Sequence, residues 1–259
     1  MPKILVCYKW VLDEQDIKVN PADLSLDFSR AKYKISDYDK NAIEEAVLLQ
    51  ETLGATVDVL TFGGPQVRQS LKDILSRGPD KAYYIADSAA DKADAYVTAN
   101  VLAAAIRKIG SCDLVICGEG SADAYNQQVA PRLGTLLGLT VVSYVQKLVL
   151  EDGRILATRK LAGCTETVTV NGPAVVSVLP EINKARIPTL KQVLAAAKKP
   201  SEELKLADLR LGGGELSAKV VGLTVKGFVM NRKNVVFKEA DQADNVAQLV
   251  AGLAKDGLV

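Results

Sequence analysis

Three short stretches combine glycine, a cation and amide or carboxylate side chains in a way that could grip a phosphate-bearing ligand. They are Lys9-Trp10-Val11, Gly63-Gly64-Pro65 and Gly118-Glu119-Gly120-Ser121-Ala122-Asp123. Glycines let backbone amides come close to an anion, and a helix starting just beyond adds partial positive charge. The third stretch runs on into Asn126, Gln127 and Gln128, whose amides, with Asp123, suit ribose hydroxyls and phosphate oxygens. It approaches a dinucleotide fingerprint, but Asp123 stands where the last glycine belongs. Glycine-rich turns made only for tight connection are the competing account. Other chemistries are excluded by composition. The chain has no histidine, which removes Ser-His-Asp and Cys-His catalysis, and its four cysteines form no C-x-x-C pair.

The elements needed to position these loops can be read from the hydrophobic pattern. Apolar strand-sized runs at residues 4–8, 57–62, 82–86 and 114–117 alternate with helical patterns near 38–53, 66–76, 93–109 and 126–137. That alternation marks βαβ units in an open, mostly parallel α/β sheet flanked by helices. Each of the three loops follows a strand, at the carboxyl end where such sheets bind ligands. Ser36-Asp37-Tyr38-Asp39 approximates a capping box opening the first helix, whose apolar stripe runs through Ala42, Ile43, Ala46, Val47 and Leu49. Residues 10–35 are too long and polar for a tight turn and predict a small hairpin, with Trp10 an aromatic at the core edge. Residues 141–150, 154–161 and 165–170 predict an antiparallel meander around Asp152-Gly153, and 174–179 a return to the central sheet.

Beyond Pro180 a short helix is expected over 191–197, with Lys191, Lys198 and Lys199 on a solvated face and Leu190 exposed at an irregular bend. The division expected is a nucleotide-binding domain over 1–200 and an extended C-terminal arm over 201–259, ending in an amphipathic helix over 240–253. With so little core of its own, the arm is expected to pack on another chain. Lys plus Arg number 32 and Asp plus Glu 31, so no global field draws nucleic acid. The apolar runs fall far short of the roughly 20 residues that cross a bilayer. Met1-Pro2-Lys3 enters a strand without signal-peptide regions, so a cytoplasmic location is expected.

Over almost its whole length the chain resembles β subunits of electron-transfer flavoproteins, of the nitrogen-fixation and carnitine-pathway type. The likeness rests on Cys7-Tyr8-Lys9, Asp13-Glu14-Gln15-Asp16, Ile35-Ser36 with Tyr38-Asp39, Leu75-Ser76-Arg77-Gly78-Pro79-Asp80, and Cys117-Gly118 through Gln127-Gln128-Val129. It continues in Ile187-Pro188 and Ala196-Ala197-Lys198-Lys199-Pro200. The resemblance implies an electron carrier rather than an enzyme. It implies a heterodimer with an α subunit that holds FAD, and AMP or a second FAD in the β subunit. Nucleotide contacts would fall on Cys7, Lys9, Ser36, Phe62, Gly63, Gly118, Asp123, Asn126, Gln127 and Gln128. Leu190 aligns with the leucine that anchors a partner dehydrogenase of acyl-CoA or carnitine-ester type; a quinone oxidoreductase is a further implied partner. Members with a well-characterised second flavin resemble Asp-Gly-Asp-Thr-Ala-Gln-Val-Gly in the third loop, whereas here Tyr125 and Asn126 replace the second carboxylate and the threonine. AMP and FAD therefore both stay open, as does electron bifurcation. The rival readings are a stress-type ATP- or AMP-binding module and a nucleotide-hydrolysing enzyme of similar fold.

Overall fold

A computed structural model describes residues 1–230 and 232–259. Two compact units are formed, one by Met1–Lys18 with Asp27–Thr224 and the other by Val19–Leu26 with Val225–Val259.

In the larger unit, β1 (Lys3–Cys7) is followed by β2 (Trp10–Leu12) and β5 (Tyr33–Ile35); between these two lie β3 (Lys18–Val19) and β4 (Leu26–Asp27), a two-stranded sheet at the ends of the smaller unit's Val19–Leu26 segment. β2 and β5 pair antiparallel, as expected of a hairpin between residues 10 and 35. Trp10 stacks on Tyr33 with ring centroids 6.3 Å apart and packs against the core edge. The alternation then runs α1 (Asp37–Leu53), β6 (Thr56–Gly63), α2 (Ser70–Ser76), β7 (Lys81–Ala86), α3 (Ala95–Ile109), β8 (Leu114–Gly118) and α4 (Val129–Leu137). A meander follows, β9 (Thr140–Glu151), β10 (Arg154–Lys160) and β11 (Thr165–Asn171), then β12 (Ala174–Val178), α5 (Leu190–Ala196) and β13 (Ser201–Glu203). The β9–β10 turn is made by Asp152 and Gly153, both left-handed with φ of 50° and 72°, which matches the twist of a tight hairpin.

The main sheet has nine strands in the order β11-β10-β9-β12-β8-β1-β6-β7-β13. From β9 to β13 every pairing is parallel, and β10 and β11 add the antiparallel edge. Alternate residues of the central strands feed two cores. Ile4 and Val6 of β1 join Ala42, Ile43, Ala46 and Val47 of α1 on one face. Leu5 and Cys7 join Val97, Val101 and Ile106 of α3 and Leu133 of α4 on the other. Strands buried on both faces are the physical reason for their unbroken apolar runs.

β13 has no apolar run to betray it. Its Ser-Glu-Glu side chains are exposed, and it is held by backbone pairing to β7 and by ion pairs from Arg68 to Glu203 and Lys81 to Glu202. The helix expected over 66–76 is α-helical only from Ser70, its first part being a 3-10 turn over Pro65–Gln69. Lys199 is not on a solvated face: its ammonium donates to the carbonyls of Gly78 and Pro79 at 2.7 and 2.6 Å. Burial pulls that ammonium below its ordinary pKa.

In the smaller unit, α6 (Gln242–Lys255) is capped by Asp241, whose carboxylate accepts from the Ala243 amide, and buries none of its residues. Val225, Phe228, Val229, Met230, Val235 and Val236 stand exposed in the same unit.

Candidate functional site

The sheet order places the site. The chain leaves β1 toward β6 and β7 on one side, then returns through β8 and β12 on the other. The β1/β8 boundary is thus the topological switch point, where the following loops diverge and leave a crevice. Cys7 and Gly118 end these two strands, Phe62 and Gly63 end the adjacent β6, and Ser36 immediately precedes α1. The residues expected to bind a nucleotide therefore share one end of the sheet, with Asp123, Asn126, Gln127 and Gln128 in the loop between β8 and α4. The chain leaving β1 runs straight into β2, so no glycine-rich phosphate loop of the hydrolase kind stands there.

Lys9 bridges the crevice: its Nζ lies 2.6 Å from the Asp123 carboxylate. Burial alone would push the Asp123 carboxyl up. The Lys9 charge, with hydrogen bonds from Lys9, Ser121 and the Ala124 amide, outweighs it and holds the group below its usual value. Ser121 Oγ donates to Asp123 at 2.5 Å, and Tyr125 Oη donates to Glu119 at 2.6 Å. The latter bond is the chief reason the Tyr125 phenol is pushed up to about 12. Tyr125 and Gln127 both sit in the left-handed region, φ 44° and 55°, which non-glycine residues adopt at a cost. Such backbone is a feature of sites that must present particular groups. Helix α4 begins only at Val129, so Asn126, Gln127 and Gln128 belong to the strained loop rather than to the helical turn.

The capping box expected at Ser36 does not form. Ser36 occupies the N-cap position of α1 without a side-chain cap; its Oγ accepts instead from the Ala122 amide at 3.2 Å, and its own amide donates to the Lys9 carbonyl at 3.0 Å. Asp39, the acidic partner in that box, accepts from the Lys9 amide (2.8 Å) and the Gly118 amide (3.2 Å). Both capping partners are thus taken by the neighbouring loops. Asp39 is a residue the sequence reading missed as part of the site. Its signal was its spacing, since positions 39, 42, 43 and 46 fall on one helical stripe and put a carboxylate in line with the core face. Burial is the main cause pushing its carboxyl up to about 7, against the two amide bonds that pull it down.

Cys7 is buried in the α3–α4 core, and its thiol is held well above its ordinary pKa by the bond to Cys117 and by burial. Any ligand contact of Cys7 must therefore come from its backbone. Phe62 is likewise core. Gly118 has no room for a side chain, since a Cβ would stand 2.6 Å from Asp39 Oδ1 and 2.9 Å from the Tyr38 carbonyl carbon. Beside the crevice, Glu14, Asp37, Tyr38, Asn41, Ala122 and Pro180 line a hollow of about 380 Å³, and Tyr38 packs on Tyr125 with ring centroids 5.1 Å apart. Lys9, Asp123 and this aromatic pair lie on the loops and the helix start around the crevice.

Leu190 opens α5 some distance along the chain from the crevice. It is 75% exposed, and Ile187 before it is 91% exposed. Thr189 and Gln192 form a true capping box there. The segment's base is fastened to α1: the Arg186 guanidinium bonds the buried Glu44 and the exposed Glu51, and Asn183 bonds Asn41 and Glu45.

A doubly wound sheet with a polar, strained crevice at its switch point defines an open α/β protein of the kind that takes ligands at its strand ends. The electron transfer flavoprotein domain matches residues 10–209, and the chain belongs to that family. Members of this family are electron carriers associated with flavin. Among the described residues, no helix is long and apolar enough to cross a membrane.

Proposed function

We propose that this chain is the β subunit of a heterodimeric electron-transfer flavoprotein, holding AMP or a second FAD at the β1/β8 switch point. The observation that carries this reading is the convergence of Lys9, Ser36, Gly118 and the 123–128 loop on that crevice, closed by the Lys9–Asp123 bond. Lys9 offers a cation to phosphate, Asp123 and the amide side chains hydrogen-bond ribose and phosphate, and the Cys7, Phe62 and Gly63 backbone forms the floor. When bound on the α subunit, FAD supplies the redox chemistry; this chain orients and shields, and transforms no substrate itself.

The partner α subunit would cover the C-terminal arm expected over 201–259, along its stretch from Val225 onward. Support comes from the side chains of Val225, Phe228, Val229 and Met230 and the face of α6 bearing Val246, Leu249 and Val250, all exposed. A soluble monomer seldom shows so many large apolar groups in one stretch. Leu190 would anchor a dehydrogenase of acyl-CoA or carnitine-ester type, or a quinone oxidoreductase, in the cytoplasm. Co-expression with an α subunit tests the reading: a yellow one-to-one complex is expected, and colourless, unassociated but folded chains would refute it.

A further inference from the structure

The Lys9 and Gly118 amides are where the topology would put phosphate-gripping donors, since they flank the switch point. Neither is free. Asp39 Oδ2 accepts from the first at 2.8 Å and Asp39 Oδ1 from the second at 3.2 Å. The carboxylate comes from a third element, the first turn of α1, and is only 6% exposed.

We propose that Asp39 is a positioning residue of the nucleotide crevice: its carboxylate ties the loop leaving β1 to the loop leaving β8, sets their separation, and takes up two amides that would otherwise meet a phosphate. The inference rests on the nucleotide reading above and deepens it, because it leaves the ligand's anion to Lys9 and the 123–128 loop.

Two features separate this tie from ordinary packing. Gly118 is matched to it, since any Cβ there would strike Asp39 Oδ1. The group is also expensive to keep. Burial disfavours its charge, the charged groups that act on it are Lys9 and Asp123, and its other ionisable neighbours, Cys7 and Tyr8, are held neutral by burial. An apolar or amide residue would suit the fold better, so the carboxylate is there for the loops.

The test uses the full-length chain co-expressed with its partner subunit and AMP as the probe. Asp39→Asn keeps the shape and one acceptor oxygen but turns an N–H toward the second amide. At pH 8 it should unfold no earlier than the wild type, yet bind AMP roughly tenfold more weakly, the loss expected when a charge-assisted hydrogen bond is broken. Amide exchange should speed up at Lys9 and Gly118 and not at core positions such as Val59. Unchanged AMP affinity beside faster exchange would make Asp39 purely structural and overturn the proposal, as would unchanged exchange. A second measurement needs no variant. In the wild type, Lys9 and Gly118 should already be protected without AMP, and AMP should add protection within 123–130; new protection confined to Lys9 and Gly118 would mean that those amides hold the phosphate, against the proposal. Failure of the wild type to bind either AMP or FAD at this crevice would instead sink the nucleotide reading itself, and this inference with it.

Discussion

Lys9 and Asp123 are 114 residues apart in sequence, yet the ammonium of one lies 2.6 Å from the carboxylate of the other. The contact joins the loops of β1 and β8 across the switch point, and both partners remain about half exposed. An exposed pair of this kind contributes little to folding; on the proposed reading it places a cation where an anionic ligand would arrive.

Lys9→Ala should therefore change folding stability by less than about 1 kcal/mol in urea unfolding. Its AMP affinity, by calorimetry, should fall about tenfold through loss of a charge-assisted contact. Equal affinity would remove Lys9 from the site.

Gly118→Ala should be costly in a different way. The added methyl meets Asp39 Oδ1 and the Tyr38 backbone, and the latter cannot swing aside as a flexible side chain could. Overpacking of this kind costs about 1–3 kcal/mol. A lower urea midpoint together with reduced AMP affinity is expected, and a midpoint equal to the wild type would contradict the close packing of α1 on β8.

Asp39 gives the pH dependence of stability one component of definite sign. Its folded carboxyl titrates at about 7, against about 3.9 for an unfolded aspartate. The folded state thus holds a proton that the unfolded state has released, and Asp39's contribution to stability is lost as pH rises from about 4 to 7, by up to about 1.4 kcal/mol per pH unit. Asp123, held below its usual value, acts oppositely at the acid end, where protonation removes its contribution. Chemical denaturation of the wild type and Asp39→Asn across this range should give a flatter profile for the variant. Parallel profiles would show that Asp39 does not titrate there.

Leu190 stands clear of the core while Arg186 pins the segment's base to Glu44 and Glu51. Leu190→Ala should leave flavin content unchanged and slow electron transfer with a partner dehydrogenase, corresponding to about 1–2 kcal/mol of docking energy. Stopped-flow flavin absorbance measures this, and wild-type rates would remove Leu190 from the interface.

Much of this architecture could be read before any coordinates, because the central strands are buried on both faces and leave unbroken apolar runs such as Ala174–Val178. Their alternation with α1 and α3 led directly to the crevice, and the position of Lys9, Gly118 and Asp123 at strand ends followed from it. What the pattern concealed depends on contacts between segments distant in sequence. Asp39 reads locally as a capping carboxylate, and only the close approach of β1 and β8 gives it two other amides to hold. β13 presents Ser201, Glu202 and Glu203, a solvated-looking triplet that becomes a strand because β7 has an open edge. Lys199 resembled a surface charge until the 78–79 carbonyls were brought to it by the turn before β7.

The most direct test of the central claim, that this chain holds an adenine nucleotide at the β1/β8 crevice, is to denature the purified heterodimer and quantify the FAD and AMP released. One FAD for the α subunit and one further adenine nucleotide, AMP or FAD, per pair of chains is predicted. Release of a single FAD with no second nucleotide would contradict it.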